Sequence, residues 1–269
     1  MMKALDGFNR QTMNLLAEMV RTDFKLRYQG SALGYLWSLL KPLFLFTILY
    51  IVFTKILGIG EGIPAYGVYK LLGVLLWSFF SESTNRGVTS IVSKGTLIRK
   101  ISMPKYLVVL ATVINSFVNF LLSSLIIVVF MIIVPDVVVT VSMLPLMLLL
   151  IIQLFILALS ISFILSAMYV KFRDVSYIWE VAVQALFYGS GVIFPLQLAP
   201  EAIRGFLLLN PVAQIIHDMR RILVYPDTVQ VYDVISWPLW LVPFIITGLL
   251  AWFAIYYFKK QSKQFAENL

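Results

Sequence analysis

No cysteine occurs in the chain, which excludes a disulfide framework and any thiolate metal site without fixing the redox compartment. Histidine occurs once, as His217, so a clustered-histidine metal site and a histidine relay are excluded too. That single ring is expected in a loop or short helix at the outer interface. Charge is sparse: 13% of residues are Asp, Glu, Lys or Arg, against about a quarter in soluble domains, and 61% are hydrophobic. Such a chain is a polytopic membrane protein. No Gly-Lys dipeptide occurs. A P-loop ends in Gly-Lys-Ser/Thr because backbone amides and lysine must wrap the phosphates together, so any ATP that drives this protein is handled by another polypeptide. The acidic residues are scattered rather than paired, which argues against glycosidase-type chemistry and against a membrane enzyme. No signal peptide is expected ahead of the first span, because residues 1–21 carry charge throughout. No repeat, low-complexity tract or linker divides the chain, and one membrane domain is expected over residues 1–269.

What the sequence does hold is a series of apolar runs with basic residues beside them. The formal charge of +8 reflects Lys and Arg flanking those runs, where cytoplasmic loops and anionic lipid account for them and nucleic acid does not. Spans are expected at residues 34–57, 65–83, 106–134, 143–169, 175–194 and 237–258. Each is long enough, at about 1.5 Å per residue, for roughly 30 Å of hydrocarbon. Lys41 and Pro42 fall in the first turns of the first span, where lysine snorkels and proline costs least. The 135–136 Pro-Asp pair is expected to stop the third span.

Basic residues concentrate in segment 81–105, with Arg86, Lys94, Arg99, Lys100 and Lys105, at the Lys171 to Asp174 corner, and in the tail at Lys259, Lys260 and Lys263. These are expected to be cytoplasmic, as are both termini. Ahead of the first span, residues 3–20 place Leu5, Phe8, Leu15, Leu16 and Met19 near one face, predicting an amphipathic helix in the cytoplasmic interface. Between the fifth and last spans, Pro195, Pro200 and Pro211 interrupt apolar stretches too short to cross a bilayer. A re-entrant helical hairpin at the outer face is predicted over 195–217, turning at Asn210 and Pro211, because proline disfavours a helical residue before it.

Glu82 and Glu180 are the ionisable groups expected nearest the membrane, and pairing with Arg or Lys is favoured over a coupling-ion role. Aromatic rings stack on the C–H faces of sugars, which makes Tyr35, Trp37, Phe44 and Trp77 channel-lining candidates beside the simpler reading of an aromatic belt.

Residues 27–43, RYQGSALGYLWSLLKPL, resemble the opening of the type-2 ABC exporter permeases in the branch that exports O-antigen, teichoic acid and related bacterial polysaccharides. The resemblance continues in SIVSKGTLIRKISMPKYLV at 90–108, KFRDV at 171–175 and LNP at 209–211. It implies an all-α integral membrane protein of six transmembrane helices, with the interface helix and the re-entrant hairpin, in the bacterial cytoplasmic (inner) membrane. It implies a homodimer around a central pathway, with two separate cytosolic ATPase subunits that bind ATP and Mg, and no cofactor or metal in this chain. The implied cargo is a polysaccharide on a polyprenyl pyrophosphate lipid, moved outward.

By the same resemblance, segment 81–105 carries the ATPase-coupling residues Arg86, Ser90, Ile91, Val92, Leu97, Ile98, Arg99 and Lys100. Arg27 and Lys41 would meet the pyrophosphate at the cytoplasmic entrance, and Pro195, Pro200, Asn210 and Pro211 would form the outer gate. Two alternatives share features of this pattern. A type-2 exporter of drugs or lipids has the same fold, and the GYLW stretch separates it from the polysaccharide branch. A secondary transporter should show paired inverted halves and a midplane ion site, which the single irregular region opposes.

Overall fold

The computed structural model describes residues 10–60, 63–100, 103–134, 137, 139–224, 226, 228, 231–234 and 237–265. All regular structure among them is helical. The helices are α1 (Arg10–Tyr28), α2 (Leu36–Tyr50), α3 (Tyr66–Ser93), α4 (Gly95–Lys100), α5 (Tyr106–Ile133), α6 (Leu144–Lys171), α7 (Val175–Gly189), α8 (Glu201–Leu208), α9 (Pro211–Leu223), α10 (Val231–Val234) and α11 (Val242–Gln261). Four stretches are long and apolar enough to cross a membrane: Leu36–Ile56, Tyr106–Ile133, Val141–Lys171 and Leu239–Gln264. Leu5, Phe8, the Pro135–Asp136 stop and residues 101–102 of the basic segment lie outside the described residues.

At the centre stands α3, against which α2, α5, α6, α7 and α9 all pack. Its sequence explains why. Ser83 and Gly87 present almost no side chain, so α6 approaches closely there with Ala158, Ser162 and Ser166, all buried. Ser162 donates to the Ser83 carbonyl at 3.2 Å. A Cβ added at Gly87 would stand 2.5 Å from Ser162 Cβ and 3.1 Å from its Cα, so only glycine permits the contact. Small residues that let two backbones meet are how helices associate where lipid removes the hydrophobic incentive.

α2 shows what irregular backbone requires. Pro42 lies inside α2, in its second turn, and cannot donate to the Ser38 carbonyl. Ser123 of α5 supplies the missing donor, its hydroxyl reaching Ser38 O at 2.9 Å. Further along, α2 widens into a π-helical turn over Ile51–Ile56. Near that transition the buried Lys70 ammonium donates to Leu49 O at 3.1 Å and lies over the Phe53 and Tyr66 rings.

Away from the basic end, Arg220 of α9 closes the bundle. It is fully buried and donates to three backbone carbonyls, Tyr69 at 3.1 Å, Gly191 at 2.8 Å and Val192 at 3.1 Å, with its guanidinium 4.0 Å from the Tyr69 ring centroid. Gly73 makes room for it, since a Cβ there would come within 2.4 Å of Arg220 Nη2. His217 is likewise fully buried on α9, a short helix whose face there packs into the bundle.

Several expected boundaries move. α3 runs unbroken to Ser93, so the first half of the basic segment belongs to this helix rather than to a loop, and α4 takes up a further stretch of it; packing against α6 overrides the weak helix propensity of the Ser, Thr and Asn in α3. α7 stops at Gly189, before the expected end at 194, because Gly191 takes a left-handed φ of 63° that no helix continues through. α9 extends to Leu223 rather than 217, started by Pro211 and capped by Asn210, whose side chain accepts from Val212 N at 3.0 Å. α1 reaches Tyr28 and buries Leu16 and Met19 in a cluster with Ile98, Phe258 and Phe265.

Gly87→Val should force α3 and α6 apart and cost about 1–3 kcal/mol. Thermal unfolding in detergent reads this as a lowered midpoint, and an unchanged midpoint would show that the contact is not tight.

Candidate substrate entrance and coupling surface

Toward the basic end, α2, α3 and α5 diverge and leave a cavity of about 500 Å³. Arg27, Trp37, Lys41 and Pro42 line it from α1 and α2, Glu82 and Arg86 from α3. α5 contributes Ser116, Asn119, Phe120 and Ser123. The two residues expected at the entrance, Arg27 and Lys41, therefore share one chamber although they lie on different helices.

The chamber's electrostatics centre on Glu82. Its Oε1 accepts from Arg27 Nη1 at 2.5 Å and lies 3.6 Å from Arg86 Nη1, while Oε2 accepts from Asn119 Nδ2 at 3.0 Å. Pairing with arginine is thus the role Glu82 takes, and Glu180 stands exposed on α7. Lys41 is exposed and forms no ion pair among the described residues. Three cations facing one carboxylate leave the wall positive, and hydroxyl and amide groups between them add neutral hydrogen-bonding capacity. Such a surface can hold an oxyanion with several acceptor oxygens.

The α5 contribution escaped the sequence reading. Asn115, Ser116, Asn119 and Ser123 recur at three- and four-residue spacing within an otherwise apolar helix, a polar stripe whose periodicity was the available signal.

A family model for the ABC-2 type transporter matches residues 14–224, a range that includes the cavity, the basic segment and the α8–α9 pair. The chain belongs to the ABC-2 type transporter family. Three relatives named O-antigen export system permease protein RfbA are each 28% identical to it. The Myxococcus xanthus protein aligns over 265 residues, 96% of both chains. One from Klebsiella pneumoniae aligns over 256 residues, 95% of both, and another over 207, or 77% of this chain and 79% of its own. This ABC-2 type transporter is accordingly a multi-pass membrane protein.

The coupling candidates divide by exposure. Ser90, Ile91 and Ile98 are buried, Ile91 and Ile98 in the cluster that also holds Leu16 and Met19, so they fasten the segment to the bundle and offer no surface to a partner. Arg86 faces the cavity. Val92 and Leu97 are half-buried, and Arg99 and Lys100 are exposed at the end of α4. Beside them, Lys94 pairs with Asp23 and ties α1 to the end of α3. Lys105 donates to Ser262 O at 2.5 Å and so holds the C-terminal stretch against the start of α5.

The channel-lining candidates divide as well. Trp37 lines the cavity, Tyr35 stacks on Phe24 with centroids 5.2 Å apart, and Phe44 is exposed on α2. Trp77 instead sits in the core between Phe80 and Phe187, at 5.5 Å from each, because its face of α3 packs toward α7.

The outer-gate candidates surround the α8–α9 pair. Pro195 is buried before a 3-10 turn, Pro200 precedes α8, and Asn210 with Pro211 makes the turn into α9. Asn210 also donates to Ser190 Oγ at 3.1 Å, fastening that turn to the end of α7. At the corner between α6 and α7, Asp174 precedes α7 without a side-chain capping bond, while Arg173 lies over the Tyr169 ring at 5.0 Å.

Single cysteines replacing Arg99 and Lys100 should react readily with a water-soluble maleimide, and cysteines replacing Ile91 and Ile98 about tenfold more slowly. Equal rates at all four positions would contradict the division between anchoring and exposed residues.

Proposed function

We propose that this protein is the transmembrane subunit of an ATP-driven exporter that moves a polyprenyl-pyrophosphate-linked polysaccharide from the cytoplasmic to the outer face of a bacterial cytoplasmic membrane. The observation that carries the reading is the basic-end cavity, where Arg27, Lys41 and Arg86 converge beside Trp37. A pyrophosphate needs several cationic and hydrogen-bonding donors at once, and an indole face suits the sugar next to it. The relatives' name, O-antigen export system permease, supports a glycan as the cargo.

Two chains and two ATPase subunits make the working assembly in this reading, with ATP and Mg held by the ATPase. The exposed end of α4, with Arg99, Lys100 and the half-buried Leu97, is the contact for that partner, and α1 stands beside it. The chain crosses the membrane six times, α3 and α7 joining the four apolar helices, with both termini cytoplasmic. α3 tolerates Lys70 and Glu82 because neighbouring helices shield it from lipid. α7 has 15 residues, about 22 Å of helix, short of roughly 30 Å of hydrocarbon. The α8–α9 pair completes that crossing as a hairpin entering from the outer side, with α9 sheltered by α3, α6 and α11 as backbone in a membrane must be, and α8 packed on α9.

Depleting the protein from its host should leave finished lipid-linked polysaccharide on the cytoplasmic side, detected as carrier-linked glycan in cell extracts with loss of surface staining. Surface polysaccharide at the ordinary level would overturn the cargo assignment. Reversing charge at Arg99 and Lys100 together should release the ATPase from the purified complex without lowering the thermal stability of this subunit. Full retention of the ATPase would move the docking surface elsewhere.

A further inference from the structure

The cations of the entrance are already engaged. Arg27 ends α1, Glu82 and Arg86 lie one turn apart on α3, and Asn119 belongs to α5; the Glu82 carboxylate bonds to Arg27 at 2.5 Å and Asn119 at 3.0 Å, with Arg86 at 3.6 Å. One side chain thereby ties three helices together across the mouth of the cavity. The tie is not sealed from solvent, since the Glu82 and Arg27 side chains keep 23% and 17% of their surface exposed. Lys41 faces the same space from α2 without an ion pair among the described residues.

An anion arriving here meets a carboxylate bound to the groups it requires. Like charges within a few ångströms repel, and a wall of partly buried side chains screens that repulsion less than water does. The incoming oxygens can take Arg27 only if Glu82 yields it, and Lys41, on α2, offers them a second cation. Arg27 sits on the last turn of α1, so its release frees that turn from α3, while Lys94 and Asp23 still hold the preceding turn.

We propose that Glu82 is a displaceable counter-ion: a pyrophosphate group takes Arg27 together with Lys41 and leaves Glu82 to Arg86 and Asn119, and this exchange passes the end of α1 from α3 to α2. The inference rests on the entrance being the headgroup site, and deepens that reading by giving the site a resident counter-ion. It makes arrival of substrate mechanically visible at α1, the helix that stands beside the exposed end of α4.

The absence of cysteine makes the test direct. Spin labels on Leu26→Cys and Asn85→Cys, both exposed positions outside the cavity, report the distance between the end of α1 and α3 in the ATPase-bound complex in lipid nanodiscs. Inorganic pyrophosphate, and separately nanodiscs containing a polyprenyl pyrophosphate, are the probes. Widening with both shows that the headgroup chemistry suffices, widening with the lipid alone shows that the site reads a membrane-anchored anion, and either supports the exchange. Widening with neither overturns it.

Glu82→Gln should show the widened distance without any probe and bind pyrophosphate about tenfold more tightly, the competing charge being gone. An unwidened Glu82→Gln, or one that binds more weakly, overturns the counter-ion role. Lys41→Gln separates the two levels. If it leaves pyrophosphate binding unchanged, the headgroup site itself is misplaced; if it weakens binding while Glu82→Gln resembles the unaltered protein, the site stands and the exchange fails. Should Glu82→Gln not fold, the unaltered protein still decides, because pyrophosphate that binds without moving α1 contradicts the proposal.

Discussion

A guanidinium buried where no water follows must find its acceptors in the protein, and Arg220 finds them in the backbones of Tyr69, Gly191 and Val192. Leaving such a group unsatisfied costs several kcal/mol or more, so these bonds oblige α9, the chain after α7 and the start of α3 to stay together. The same demand recurs at each irregular place in the bundle. Ser123 serves the carbonyl that Pro42 leaves unpaired, Lys70 serves Leu49 where α2 widens, and Ser162 serves Ser83 at the closest helix contact. At these places polar groups find partners on a neighbouring helix, within a bundle whose bulk is apolar.

The two ends of the molecule are held in different ways. Away from the basic end, the Arg220 bonds and the Asn210 cap fasten elements through backbone carbonyls and amides that have nowhere else to turn. At the basic end the ties are ion pairs between side chains that keep partial access to solvent, Arg27 with Glu82 and Lys94 with Asp23. Bonds of the second kind are weakened by salt and open to competition by other ions. The permanent fastening and the exchangeable one thus lie at opposite ends of α3.

Much of the architecture was legible from apolar runs and prolines, because both report directly on what a backbone can do in lipid. The Asn210–Pro211 turn is an instance. The helical extension of α3 to Ser93 was hidden, since Ser, Thr and Asn read as loop and the compensation comes from α6, far away in sequence. Inward and outward residues of the basic segment could not be separated either. Ile98 and Arg99 are neighbours in sequence, and only the position of Leu16, Met19 and Phe265 decides that one anchors while the other faces out. The role of Arg220 was not legible either, because a single sequence does not mark a cation whose hydrogen-bond partners are main-chain carbonyls.

The isolation of α3 has a mechanical meaning. A membrane that thins or thickens acts on helices whose flanks meet acyl chains, through tilt and mismatch. α2 has an exposed apolar flank in Phe44, Ile48 and Ile51, whereas Val68, Leu71 and Val74 of α3 are buried. One wall of the cavity, bearing Trp37 and Lys41, belongs to the helix with that flank, and the opposite wall, bearing Glu82, to the helix enclosed by protein. Bilayer thickness acting on the exposed flank would change the width of the cavity.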